Sequence, residues 1–266
     1  MKFFNYRILI LLIFSLFILS CSKDDSSGGD SGGVDKSANQ KGVGTSAKDF
    51  LRDDNFVRIN LEIAYVQGFK PTQTAVDGLV SFIKARCHKP ADITITSTIV
   101  SATDEDSLNN DDVVQIEKDN RTVYNAGDEL GVWVFFADKN SSKDEDNNVI
   151  LGTSYRNTSC VIYEKTIQDI SSGIVGSNIS KIESTTLHHE FGHLFGLVDL
   201  GTPMQTDHRD TSQDDADANI INRHCTTENC LMYYKTVTNV FSMAMGNDIA
   251  KLDEFCLADL KANGGK

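Results

Sequence analysis

Hydrophobic and polar residues along this chain repeat with two periods, and the switches between them mark the elements. The segment 57–66, VRINLEIAYV, places Val57, Ile59, Leu61 and Ile63 at alternate positions, the period of a strand with one apolar face. Pro71 suits the first position of a helix, where its missing N–H would have no partner. Ala75, Leu79, Phe82 and Ile83 then continue a helical stripe to about Arg86. Residues 93–100 predict a second strand, and 109–124 a helix with Val113, Ile116 and Val123 inward. The run 130–137, LGVWVFFA, is apolar nearly throughout, as in a central strand buried on both faces. Two more strands are expected at 149–155 and 159–165, a helix at 181–195 and a last helix at 248–262. The order β-α-β-α-β-β-β-α, then a long loop and a closing helix, predicts an α+β or mixed α/β domain. No internal repeat of about 20–50 residues accompanies it.

The N-terminal pattern is different. Lys2 and Arg7 precede an apolar run at 8–19, interrupted only by Ser15. Twelve helical residues rise about 18 Å, short of the ~30 Å needed to cross a bilayer, so 1–20 is expected to be a secretory signal peptide. Its end, Ile18-Leu19-Ser20-Cys21, resembles the bacterial lipobox. That resemblance implies a lipoprotein held by acyl chains on Cys21, with several chains giving stable anchoring. Ser22-Lys23-Asp24-Asp25 resembles the acidic tag on surface-exposed lipoproteins of Bacteroidota. Residues 21–49 are Ser, Gly, Asp and Lys with hardly an apolar side chain, so a flexible tether is expected there and a folded domain over 50–266.

With 266 residues, 40% of them hydrophobic, the chain can build a real core. Its formal charge of −13 would repel phosphate backbones, which argues against nucleic acid as a partner.

The candidate chemistry lies at His189-Glu190-Phe191-Gly192-His193, an HExxH sequence. On a helix the two histidines are four residues apart and lie about 40° from one another, so both imidazoles can reach one cation. Leu187, Phe191 and Leu194 fall on the opposite side, giving an apolar back for the core. Glu190 projects near His193, within reach of a metal-held water rather than the metal. This is the arrangement of a zinc peptidase, with zinc as cofactor, His189 and His193 as ligands and Glu190 as general base. His188 is expected to face away as polar surface.

Extended through Gly196 to Asp199, the sequence reads HExxHxxGxxD and resembles the metzincin metallopeptidases. The resemblance implies a mixed twisted sheet, an active-site helix, a third ligand beyond the glycine, and a methionine turn beneath the metal. Downstream, His224-Cys225-Thr226-Thr227-Glu228-Asn229-Cys230-Leu231-Met232 has the pattern HC-x4-C-x-M and resembles the archaemetzincin branch. That implies His224 as third ligand and Met232 as the turn methionine. In that branch HC follows the glycine almost directly, whereas residues 199–223 intervene here. Archaemetzincins also gather cysteines around a second zinc; this chain has no CxxC pair, and no second zinc is expected. Gly201-Thr202-Pro203-Met204 resembles secreted lipoprotein peptidases of Bacteroidota.

The residues themselves leave three choices for the third ligand. Asp199 has the simple spacing. His208 sits among Asp207 and Asp210, whose carboxylates could orient its ring. His224 is followed by the cysteine and methionine pattern and is preferred. Tyr234 holds an offset from Met232 at which some metzincins carry a tyrosine that swings to the metal, although an ordinary aromatic is expected. Apart from Cys21, five cysteines remain in what would be an oxidising compartment. Cys225 and Cys230 are close enough to bridge, Cys87 could pair with Cys160 or Cys256, and one stays unpaired. Oxygen side chains alternate over 138–146 as in a calcium loop, but Lys143 and Val149 replace the expected glycine and glutamate, so a solvated turn is expected. The acidic stretch 207–217 is expected to be surface loop.

The function expected from these features is that of a membrane-anchored zinc endopeptidase at the bacterial outer membrane, surface-exposed or facing the periplasm. It is expected to be a monomer that takes a protein or peptide substrate. The alternatives are a non-catalytic zinc-containing binding lipoprotein on a peptidase fold, for which an intact Glu190 would be superfluous, and a zinc scavenger, for which a His-rich tract is missing.

Overall fold

Two strands expected from their patterns form the middle of a five-stranded sheet. The computed structural model describes residues 35–145, 148–212, 214, 221–233 and 249–266. The expectations for the signal peptide, Cys21 and Tyr234 lie outside the described residues. β1 (Arg58–Val66) pairs in parallel with β4 (Glu129–Phe136), Ile59 opposite Leu130 and Ile63 opposite Val134. β2 (Ile93–Val100) runs parallel on the outer side of β1, and β7 (Ser159–Ile162) parallel beside β4. β6 (Gly152–Arg156) is antiparallel to β7 and forms the far edge, giving the order β2-β1-β4-β7-β6. Parallel pairs need long crossovers, supplied by α2 (Gln73–Arg86) between β1 and β2 and α3 (Asn110–Asn120) between β2 and β4. Of the two classes the pattern allowed, the molecule is therefore mixed α/β with a mostly parallel sheet, rather than α+β. A pair of two-residue strands, β3 (Ser107–Leu108) and β5 (Asn140–Ser141), lies apart from it.

Alternation in the strands sorts their side chains onto two core faces. Ile59, Leu61, Val132, Val134, Phe136 and Ile162 point to one, where α2 and α5 (Ile179–Leu194) pack. Ala64, Val66, Trp133, Phe135 and Val161 point to the other, where α3 supplies Val113 and Ile116. β4 is thus buried on both sides, as its continuous apolar run required.

Four expectations need correction. Pro71 is not the first helical residue; Thr72 is the N-cap, its hydroxyl accepting from Ala75 N–H, and α2 starts at Gln73. The strand expected over 159–165 stops at Ile162, and α4 (Glu164–Gly173) follows at once. Its apolar stripe is short, with Ile167 buried and Ile170 partly buried three residues on, and the preceding strand masks it. The closing helix is α6 (Glu254–Ala262), begun by the Asp253 carboxylate accepting from Cys256 N–H; Asp248 lies outside the described residues.

The fourth concerns the tether. Residues 35–49 are folded, with a short 3-10 turn at Lys36–Asn39 and α1 (Ala47–Leu51). Polar side chains, not apolar ones, hold this segment. Asn39 is fully buried; its amide donates to Asn125 Oδ1, Gly131 O and Thr158 Oγ1, and its oxygen accepts from Asn125 N–H. Asn157 likewise donates to Ala38 O and Ser46 Oγ. A composition poor in apolar residues hid a segment that orders itself through buried amides.

Candidate metal centre

α5 runs through the middle of the molecule, with nearly every residue from Ile182 to Gly192 buried. Leu187, Phe191 and Leu194 face the core with no exposure, as the helical phase required. The opposite side carries His189, Glu190 and His193, which face a cleft of about 580 Å³.

Three imidazoles meet there. Ring centroids of His189 and His193 are 4.9 Å apart, and each is 5.2 Å from that of His224. One ring nitrogen from each lies within 4.8 Å of the others. His189 Nδ1 donates to Leu231 O at 2.8 Å, which leaves Nε2 for the cluster. His224 Nδ1 is similarly fixed, 2.6 Å from Asn222 Oδ1. Burial holds His189 down to about 4 and His224 to about 3. Burial, then the neighbouring rings, hold His193 well below the histidine range. The three are therefore neutral at physiological pH, the form in which imidazole ligates a cation. His193 Nδ1 is buried without a hydrogen-bond partner, so the polar capacity of the cluster is not used up by the protein. The donor set fits zinc, which is held in open sites by three protein ligands.

The other two candidates for third ligand lie elsewhere. Asp199 is more than half exposed, with its carboxylate 2.8 Å from Arg223 Nη1. His208 belongs to a second cluster.

Glu190 is buried beside β6. Ser154 Oγ bonds both Glu190 Oε2, at 3.0 Å, and the Glu190 carbonyl, at 2.9 Å. Two residues before it on the strand, Gly152 has no room for a side chain: a Cβ there would lie 2.9 Å from Glu190 Cγ. Burial raises the Glu190 carboxyl to about 7, and the bonds from Ser154 work against that rise. The i, i+2 spacing of Gly152 and Ser154 on a strand was readable, but no sequence signal linked that strand to Glu190.

The turn below the histidines also rests on glycine. A Cβ on Gly192 would collide with Met232 Sδ, so the helix approaches the methionine only because position 192 is bare. At Gly196, φ is +77°, and after Leu197 the backbone turns left-handed again at Val198 and Asp199. A Cβ at Gly196 would lie 2.7 Å from Thr202 Oγ1 and 2.9 Å from Ala47 Cβ, which places the N-terminal segment against this turn.

His188 is not surface. It is 8% exposed and stacks on Phe82, ring centroids 4.3 Å apart.

The second cluster was not expected. Cys225 and Cys230 do not bridge; both are thiols, as are the other three described cysteines. Cys225 Sγ lies 3.2 Å from His208 Nδ1 and 3.3 Å from Asp253 Oδ2, and Cys230 Sγ 3.6 Å from Cys256 Sγ. Asp259 bonds His208 Nε2 at 2.9 Å and leaves Nδ1 to the sulfurs. Hydrogen bonds from Cys230 and Cys256 lower the Cys225 thiol, favouring thiolate. The spacing of 3.6 Å is close to the ~3.8 Å edge of a tetrahedron of ~2.3 Å zinc–sulfur bonds. The missing CxxC pair misled because Cys256 comes from α6 and His208 from the inserted loop, positions that sequence spacing does not connect.

No protein-family model matches the chain, and neither does any curated protein. Among solved structures, the chain is similar to archaemetzincin from Methanopyrus kandleri, with a TM-score of 0.48 and 12% identity over 78% of this chain and 96% of that one.

Proposed function

We propose that this protein is a zinc-dependent endopeptidase, anchored to a bacterial outer membrane through Cys21, with His189, His193 and His224 as zinc ligands and Glu190 as general base. The observation that carries the reading is the meeting of three neutral imidazoles with one buried carboxylate at a single cleft. A purely structural metal site has no need of that carboxylate. Zinc, when bound, supplies a Lewis acid and lowers the pKa of water.

The chain's own groups supply the rest. Glu190 Oε1 accepts the proton of the attacking water and returns it to the leaving amine, while Ser154 holds Oε2 and so fixes the plane of the carboxylate. A carboxyl raised to about 7 is well matched to moving a proton near neutral pH. β6 borders the cleft as the sheet edge, and a peptide laid along it as an added strand would present its carbonyl to the histidines. Arg223 also lines the cleft and brings a positive charge to it, its Nη1 already held by Asp199.

The same proposal gives a second zinc to the cluster of His208, Cys225 and Cys256, whose ligand atoms lie with that of Asp253 within 4.8 Å of one another. Its role would be to tie the inserted loop and α6 to the methionine turn.

The test is digestion of a peptide library by the purified chain, with and without chelator, alongside zinc analysis. Cleavage lost on chelation and restored by zinc supports the endopeptidase. Bound zinc with no cleavage of any peptide puts the non-catalytic binding lipoprotein in its place.

A further inference from the structure

A second cavity of about 600 Å³ lies on the other side of the active-site helix, between α5, α2 and residues 249–252. Helical phase explains its walls. Lys181, Ser184 and His188 share one stripe of α5, about 100° away from His189. Thr74, Gly78, Ser81 and Phe82 share the facing stripe of α2. Gly78 faces Ser184 and His188 across the helix pair, at a distance where a Cβ would make ordinary contact, 3.5 Å from Ser184 Oγ.

The charge of the lining runs against that of the chain. The protein has 38 acidic and 25 basic residues, yet among the described residues no aspartate or glutamate lines this cavity, while Arg86, Lys181 and Lys251 do. Ser81, Ser180 and Ser184 also line it, but each already donates its hydroxyl within the protein, to Asp77 O, Asn178 Oδ1 and Ser180 O, so the charged side chains are what the lining offers a ligand. Two nitrogens in the lining residues are buried without hydrogen-bond partners, Arg86 Nε and His188 Nε2, and His188 as a whole is only 8% exposed. Buried nitrogens of that kind are rare in a folded protein, and a bound ligand satisfies them. The remaining surface is apolar: Phe82 stacked on His188 with an interplanar angle of 10°, the Arg86 guanidinium 5.5 Å from the Phe82 centroid, and Leu252.

We infer that this cavity binds a small organic anion, a carboxylate carried on an apolar body. The carboxylate meets Arg86 on the side of the cavity that Lys181 and Lys251 also line, and the apolar part lies against Phe82 and His188. The site is separate from the histidine cluster but shares its helix, since His188 and His189 are consecutive.

The test is calorimetric titration of the full chain with benzoate, acetate and inorganic phosphate. It is run on the chain as purified and repeated on His189→Ala, so that any anion bound at the histidine cluster is subtracted. Benzoate should saturate at one equivalent and bind at least tenfold tighter than acetate. Arg86→Gln should weaken benzoate at least tenfold with an unchanged melting temperature. Phe82→Leu should weaken benzoate and leave acetate alone, so that the apolar wall is tested apart from the charge. Benzoate that does not saturate, phosphate that binds tighter than benzoate, or an Arg86→Gln protein that binds like the parent would overturn the inference.

Discussion

The imidazole of His189 is oriented by the carbonyl of Leu231, 42 residues further along the chain, through a 2.8 Å hydrogen bond from Nδ1. Leu231 adjoins Met232, whose sulfur packs at bare Gly192 on the same helix. One short turn therefore both aims a candidate metal ligand and supports the helix that carries it.

Gly192→Ala tests that support. In a helix interior alanine is ordinarily favoured by about 1 kcal/mol. Here the new methyl collides with Met232 Sδ, and overpacking of a rigid core costs about 1–3 kcal/mol, so the variant should be less stable on balance. Denaturant midpoints measure it. In a Met232→Ala background, Gly192→Ala should cost less than it does in the parent, because the colliding group is gone.

Glu190→Gln keeps the size and the oxygen facing Ser154 but cannot take a proton. Zinc content and fold should be unchanged, and turnover should fall by ~10²–10⁴. His189→Ala and His193→Ala should lose metal and activity together. A Gln variant as fast as the parent removes Glu190 from the mechanism.

The third ligand is separable by zinc stoichiometry. His224→Ala should release the catalytic metal under dialysis. Asp199→Ala breaks an exposed ion pair to Arg223, a loss of up to about 1 kcal/mol, and should keep the metal in full.

The pair Glu164 and Glu183 makes a pH prediction. Burial, then the charge of Glu183, raise Glu164 from 4.5 to about 9. Between those values the folded chain holds a proton that the unfolded chain has released. The contribution of Glu164 is thus full below about 4.5 and is lost as pH rises toward about 9, by at most ~1.4 kcal/mol per pH unit. Glu164→Gln mimics the neutral acid and should flatten that slope. Melting temperatures of parent and variant at about pH 5 and about pH 8 should diverge in the variant's favour as pH rises.

Asn39→Ala should destabilise the domain by about 1–3 kcal/mol, because Asn125 N–H loses its acceptor, while the Gly131 carbonyl keeps Arg121 Nη2. An effect near zero would return residues 35–46 to the role of tether.

Legibility followed the physics of each signal. Strands β1 and β4 and helix α5 were readable because one apolar stripe at one period decides each of them. α4 was lost because its stripe is short and abuts a strand. HExxH placed His189, Glu190 and His193 within one helical turn, a local relation that spacing encodes. The approach of His224, the Ser154 bond to Glu190 and the convergence of Cys256 with His208 all depend on tertiary contacts between distant segments. No periodicity carries these. His188 was misread because a polar residue beside a ligand looks like surface until the helix is found buried on every side.

The ion pair between Asp199 and Arg223 joins the two ends of the inserted segment at 2.8 Å. The excursion thus leaves and rejoins the domain at one doorway. Closing a loop costs only ~0.6 kcal/mol for each doubling of its length, so the excursion is cheap to carry. Its length is nonetheless not free everywhere: His208 is tied to Cys225 and Asn222 to His224, and those two contacts set where residues can be added without disturbing the histidines.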